Sequence, residues 1–314
     1  MKPFRLTLGN NATLSGIHNI PPPSHSAGPK HRPLLVGLHG GSYSSSYFDA
    51  DARHTAALPS DALGVPFVAV DRPCYEDSTS LYPLPEGSSF PEEFGRWLHC
   101  FILPAVWAEF GAGCACIVLD CHSLGATGAI IAASTHATEP EEKRGYPLGG
   151  MIISGFGSML GEHVGKLDSP DPPPKEVVFP PQMKDNMMIP PGTADPEIYK
   201  QGERLNKPMP FDERATLFTL WLPTRWKIWA ADVKCAVMIG VAERDALWKG
   251  TEEHVKDFTA AFPNSVRVDG SLIKGAPHCI ELSYWSPGWY ARCFGFALEC
   301  AVSHAIAGGD EGGH

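Results

Sequence analysis

Apolar residues along this chain follow two kinds of pattern, and their alternation sets the first expectation about the fold. The opening segment alternates, with Phe4, Leu6 and Leu8 before Asn10-Asn11 and Leu14, Gly16 and His18 after it. That pattern predicts a hairpin at a sheet edge. A polar, proline-rich connection spans residues 21–33, and beyond it lie short, nearly continuous apolar runs at 34–38, 66–70, 114–119, 150–154, 236–241 and 265–268. Runs so apolar over so few residues are expected of parallel strands buried on both faces. Helical periodicity fills the gaps at about 49–59, 91–110, 124–137, 251–262 and 280–307. Strand and helix alternate, so the expected class is α/β, a mostly parallel central sheet flanked by helices.

One stretch breaks the alternation. From 156 to about 230 no strand pattern is evident, prolines cluster at 170–174, 180–181 and 190–191, and the end, 212–229, is a tryptophan-rich helical piece. Long stretches without regular pattern are unusual inside a compact domain and commonly form active-site lids. The expected organisation is a core in two parts, 1–155 and 231–307, an inserted, largely helical cap at 156–230, and a glycine-rich tail at 308–314 that frays.

Composition narrows the function classes. A formal net charge of −10, with basic residues scattered singly, offers no stripe to neutralise nucleic acid or an anionic membrane. No apolar run approaches the roughly 20 residues of a bilayer span, and the start lacks the apolar core of a secretory signal, so a cytoplasmic location is expected. The nine cysteines include no CxxC pair, and Cys114, Cys116, Cys235, Cys293 and Cys300 lie in apolar runs, where reduced thiols act as small hydrophobes. The sequon Asn11-Ala12-Thr13 reads as a turn between strands. No motif asks for a cofactor or a metal. The expected partner is a small-molecule substrate, with a homodimer left open.

Chemistry concentrates where the run Ile117 to His122 passes into Ser123-Leu124-Gly125-Ala126, followed by Gly128 and Ala129. A serine at a strand-to-helix junction sits on a sharp turn, its hydroxyl exposed over the helix N-terminus, and small neighbours let strand and helix nearly touch. The plainer reading is a serine N-cap. Cys121-His122-Ser123-Leu124-Gly125 resembles the GxSxG nucleophile elbow of the α/β-hydrolase fold superfamily, with Cys121 in place of the first glycine. Upstream, the run 34–38 leads into His39-Gly40-Gly41-Ser42, where glycine lets backbone approach a developing oxyanion.

The resemblance implies roles for further residues. It makes Ser123 the nucleophile and the amides of Gly41 and Leu124 the oxyanion donors, with Ser42 as a substitute for Gly41. His39, braced in the loop, Gly40 and His122 would border the substrate. The order serine, acid, histidine points to Asp245 in Glu243-Arg244-Asp245, with Glu243 as alternative, and to His278 in Gly275-Ala276-Pro277-His278-Cys279. Trp221, Trp226 and Trp248 either glue cap to core or form an aromatic substrate pocket, and Met183, Met187 and Met188 could line the same surface. The expected activity is a serine hydrolase acting on an ester, lactone or thioester of a hydrophobic small molecule. Carbon–carbon bond chemistry or cyclisation at the same site, and a receptor with a decayed site, remain open alternatives.

Overall fold

The computed structural model describes residues 1–22, 30–161 and 172–310. Strands β1 (Lys2–Thr7) and β2 (Thr13–Asn19) form the expected antiparallel hairpin, and Asn11 turns it with a φ of 64°, a conformation asparagine tolerates better than most residues. After β3 (Pro33–Leu38) the chain makes a short 3-10 turn, Ser45–Phe48, and α1 (Ala57–Leu63) leads to β4 (Phe67–Val70). The helix expected at 49–59 is therefore displaced. The Asp51 carboxylate accepts the amides of Arg53 and His54, both at 2.8 Å, and this local turn competes with helix over the first half of that range.

Helix α2 (Phe90–Trp97) starts at a Ser89–Glu92 capping box and continues through a π-helical turn, Leu98–Ile102, into α3 (Leu103–Phe110). Pro104, which lacks an N–H, accounts for the break in register. Then come β5 (Cys116–His122), α4 (Gly125–Thr138) and β6 (Leu148–Ser154).

The segment between β6 and the next core strand is largely helical. It holds β7 (Glu176–Val177), α5 (Pro181–Met188), α6 (Pro196–Tyr199), α7 (Gly202–Leu205), β8 (Met209–Pro210), α8 (Phe211–Thr216), a π-helical run Leu217–Arg225 and α9 (Trp226–Asp232). The two short strands pair with each other, so the segment is not strand-free. Pro170, in the first proline cluster, lies outside the described residues. The core resumes with β9 (Ala236–Arg244), α10 (Glu252–Ala260), β10 (Val268–Pro277) and α11 (Ser286–Asp310).

Two boundaries differ from expectation. The last strand begins where the apolar run 265–268 ends. At the sheet edge β10 is half-solvated and carries Asp269, Ser271 and Lys274, so no continuous apolar run marks it. The last helix continues through Gly308 and Gly309 to Asp310, which were expected to fray; residues 311–314 lie outside the described part.

The main sheet runs β1-β2-β4-β3-β5-β6-β9-β10, parallel from β4 onward with the hairpin at one edge. Alternate strand residues feed two apolar layers. Leu34, Val36 and Leu38 join Ile130 of α4, whereas Leu35 joins Trp289 and Phe294 of α11. Loops at the carboxyl ends of these strands are where an open α/β sheet gathers ligand-binding residues. Among the described residues no helix is long and apolar enough to cross a membrane.

Candidate active site

Ser123 is the first residue beyond β5 and has a φ of 50°, left-handed backbone that a non-glycine residue holds only when its surroundings over-determine it. They do so here. The Ser123 amide donates to the Ser154 carbonyl at 2.8 Å, and a Cβ on Gly125 would stand 2.3 Å from the Leu38 carbonyl oxygen. Cys121, where the motif has glycine, is fully buried in the layer beside α4, so its side chain occupies core space away from the turn.

His278 follows β10 and brings Nε2 to 3.2 Å from Ser123 Oγ. Its Nδ1 lies 2.9 Å from Asp245 Oδ2. An Nδ1–H donating to the carboxylate leaves Nε2 free to accept the serine proton. Asp245 is itself held, since Oδ1 accepts the amides of Leu247 at 2.8 Å and Trp248 at 3.2 Å. Glu243, the competing carboxylate, faces solvent and accepts from Lys274 Nζ at 3.0 Å and the Gly275 amide at 2.7 Å, which hold its carboxyl below the usual range. Asp120 is fully buried in β5, makes no hydrogen bond among the described residues and is pushed well above the carboxylate range, first by burial and then by Glu281.

Gly40, Gly41 and Ser42 approach Ser123 from the end of β3; a Cβ on Gly40 would come within 2.9 Å of the Ser123 Cβ. Ser42 is also left-handed, at a φ of 59°, and its carbonyl accepts from the Lys207 amide and Lys184 Nζ, each at 3.0 Å. His39 does not border the substrate as expected. Its ring is sealed inside, Nδ1 donating to the Gly40 carbonyl at 2.8 Å and Nε2 accepting the Arg72 amide at 3.1 Å, so it braces the loop. Burial and the Arg72 charge keep it neutral.

His122 reaches the cavity wall with one edge and a buried network with the other. Its Nδ1 lies 3.0 Å from Ser154 Oγ, and Ser154 donates to Glu281 at 2.5 Å. Tyr47 and Trp289 donate to the same carboxylate at 2.6 and 2.9 Å. Sequence reasoning missed this cluster. The only signal was a glutamate between Ile280 and Leu282 in an otherwise apolar turn.

No family model matches the sequence, and no curated protein matches it by sequence. Solved structures are similar in fold. A thioesterase domain from the curacin biosynthetic pathway is 16% identical with a TM-score of 0.58, covering 95% of this chain and 99% of its own. A Paleococcus ferrophilus monoacylglycerol lipase is 14% identical at 0.58, covering 91% and 99%. An N-acyl homoserine lactonase complexed with N-hexanoyl homoserine lactone is 16% identical at 0.57, covering 96% and 98%. This chain has the α/β-hydrolase fold.

On that α/β-hydrolase scaffold the loops and the inserted segment enclose a cavity of about 290 Å³ above Ser123 and His278. Its wall is mostly apolar: Met183, Met187, Met188 and Met209 with Phe179, Phe218 and Trp248. The three methionines suspected from sequence are thus there. Trp221 and Trp226, named as substrate-pocket candidates, are not; both are buried in the core, the other role the sequence left open, Trp226 packing against Phe258 of α10 with ring centres 5.3 Å apart. They glue the inserted segment to the sheet. Trp248 does line the cavity, its Nε1 donating to the Gly155 carbonyl at 3.0 Å.

Two cations also line it. Lys184 of α5 is 1% exposed, donates to the Ser42 and Leu205 carbonyls at 3.0 and 3.1 Å and stands 3.9 Å from the centre of the Tyr43 ring. Burial lowers its ammonium to about 8. Arg214 of α8 lies 5.7 Å from the Phe179 ring centre.

Proposed function

We propose that this chain is a serine hydrolase that cleaves an ester, lactone or thioester of a hydrophobic small molecule through an acyl-enzyme. The observation that carries the reading is the unbroken relay from Ser123 Oγ to His278 Nε2 at 3.2 Å and from His278 Nδ1 to Asp245 at 2.9 Å, under a largely apolar cavity. Ser123 attacks the substrate carbonyl as His278 Nε2 takes its proton, and Asp245 stabilises the imidazolium. Negative charge on the tetrahedral oxygen falls to the amides of Gly41 and Leu124, which no backbone carbonyl occupies among the described residues, and to the N-terminal dipole of α4. His278 then protonates the departing alcohol or thiol. Water, deprotonated by the same imidazole, attacks the acyl-enzyme and releases the acid and the free serine.

In this reading 156–230 is a cap that shapes the acyl pocket, supported by the methionines and phenylalanines it contributes to the wall. Fluorophosphonate labelling followed by peptide mapping tests the core of the proposal. The adduct is expected on Ser123, with turnover of p-nitrophenyl esters lost in parallel. An adduct on another serine, or none in an active preparation, would sink it.

A further inference from the structure

The protein is acidic overall, with 35 Asp and Glu against 25 Lys and Arg. The cavity reverses that balance. Its charged wall residues are Lys184 and Arg214, and among the described residues no carboxylate lines it. The nearby acids lie outside it. Glu213, next to Arg214, pairs with Arg72 and accepts from Tyr75, whereas Asp185, next to Lys184, partly offsets the Lys184 charge from outside the cavity, which leaves Arg214 as the cation with no anion to answer it.

Placing cations against methionine and phenylalanine is costly where no anion answers them, because the low-dielectric wall penalises unpaired charge. Burial does depress both side chains. Lys184 spends two of its three donors on the Ser42 and Leu205 carbonyls, so it supplies mainly a fixed positive field. Arg214 donates to no carboxylate or carbonyl among the described residues, and its planar fork is the shape that grips a carboxylate with two parallel bonds.

We infer that the substrate carries a carboxylate beside its hydrophobic portion, bound by Arg214 in the field of Lys184, so that the enzyme acts on hemi-esters or carboxylate-bearing lactones and thioesters. The inference rests on the hydrolase reading of the same site. A cavity of about 290 Å³, at the small end for ligand sites, suits a short acyl group with a charged end.

The test pairs turnover with binding. Mono-p-nitrophenyl glutarate and p-nitrophenyl valerate differ mainly in a terminal carboxylate against a methyl. Wild type should favour the hemi-ester in kcat/KM by about tenfold to a hundredfold, the worth of a charge-assisted hydrogen bond. Arg214→Met should erase most of that preference, chiefly through KM, and Arg214→Lys should keep part of it. In parallel, calorimetry with 4-phenylbutyrate and its neutral amide reads anion binding without any chemistry. The acid should bind wild type about tenfold or more tighter than the amide, and Arg214→Met should close the gap. Equal binding of acid and amide overturns the inference even if both esters are cleaved. Tighter acid binding that depends on Arg214, with neither ester cleaved, upholds the anion site and counts against the hydrolase reading instead.

Discussion

Ser123 holds a backbone conformation that costs on the order of 1–3 kcal/mol, and Gly125, Gly40 and the Ser154 carbonyl hold it there. If the relay acts as a unit, Ser123→Ala should lower turnover by about 10⁶, read on the best p-nitrophenyl ester. Asp245→Asn keeps the shape but favours the wrong tautomer of His278, so a loss of about 10⁴ is expected. Glu243→Gln, which disturbs only surface contacts to Lys274 Nζ and the Gly275 amide, should cost less than about tenfold; the reverse order would reassign the acid. Lys184 gives a pH signature. Its folded pKa of about 8 lies below the roughly 10.4 of an unfolded lysine, so the unfolded chain binds more protons between those values. The penalty for burying the ammonium is therefore complete below about pH 8 and is relieved as pH rises toward 10.4. Urea titrations from pH 7 to 10 should show wild type gaining stability relative to Lys184→Met, and parallel curves would mean the ammonium is not buried.

At the level of elements, α8 is fixed to the core through Glu213, which pairs with Arg72 just past β4 and accepts from the Tyr75 hydroxyl. Arg72 passes the constraint on, because its amide holds His39, which holds the Gly40 carbonyl. Glu213→Gln strands a buried guanidinium and should cost about 3–5 kcal/mol in chemical denaturation. It should also slow all esters, since the His39-Gly40-Gly41 loop beside Ser123 loses its brace. Trp221 also ties the inserted segment to the core, buried in the apolar cluster it shares with the sheet. Of the two roles the sequence left open for Trp221, burial in the core favours packing, so Trp221→Ala should bring a stability loss of about 3–5 kcal/mol and a uniform fall in turnover. A changed ranking with unchanged stability would return Trp221 to the pocket.

Across the whole molecule, the inserted helices share an apolar cluster with the sheet, and Lys184–Ser42 and Trp226–Phe258 add contacts between them. Calorimetry should therefore show one cooperative transition, and an early, separate melt of the inserted segment would contradict this coupling. The architecture was largely legible in the linear pattern because parallel strands must be apolar on both faces, and β3, β4, β5, β6 and β9 satisfy that rule. So were the positions of Ser123 and Asp245, each just past an apolar strand, while His278 was read from its place ahead of the last helix. Edge strand β10, half in water, and the Asp51 turn were not, because their stability comes from local solvation and side-chain bonding that periodicity does not encode. By itself the sequence pointed to the loops that hold Ser123, His278 and the Gly40-Gly41 turn, and to Asp245 ahead of Glu243. Only the tertiary structure set Asp245 against His278 with Glu243 out in solvent, turned His39 and the two tryptophans inward, joined His122 to Glu281 and brought Lys184 and Arg214 to one cavity. Those choices depend on which side chains from distant segments share a few ångströms of dry space, and a linear pattern records no such distances.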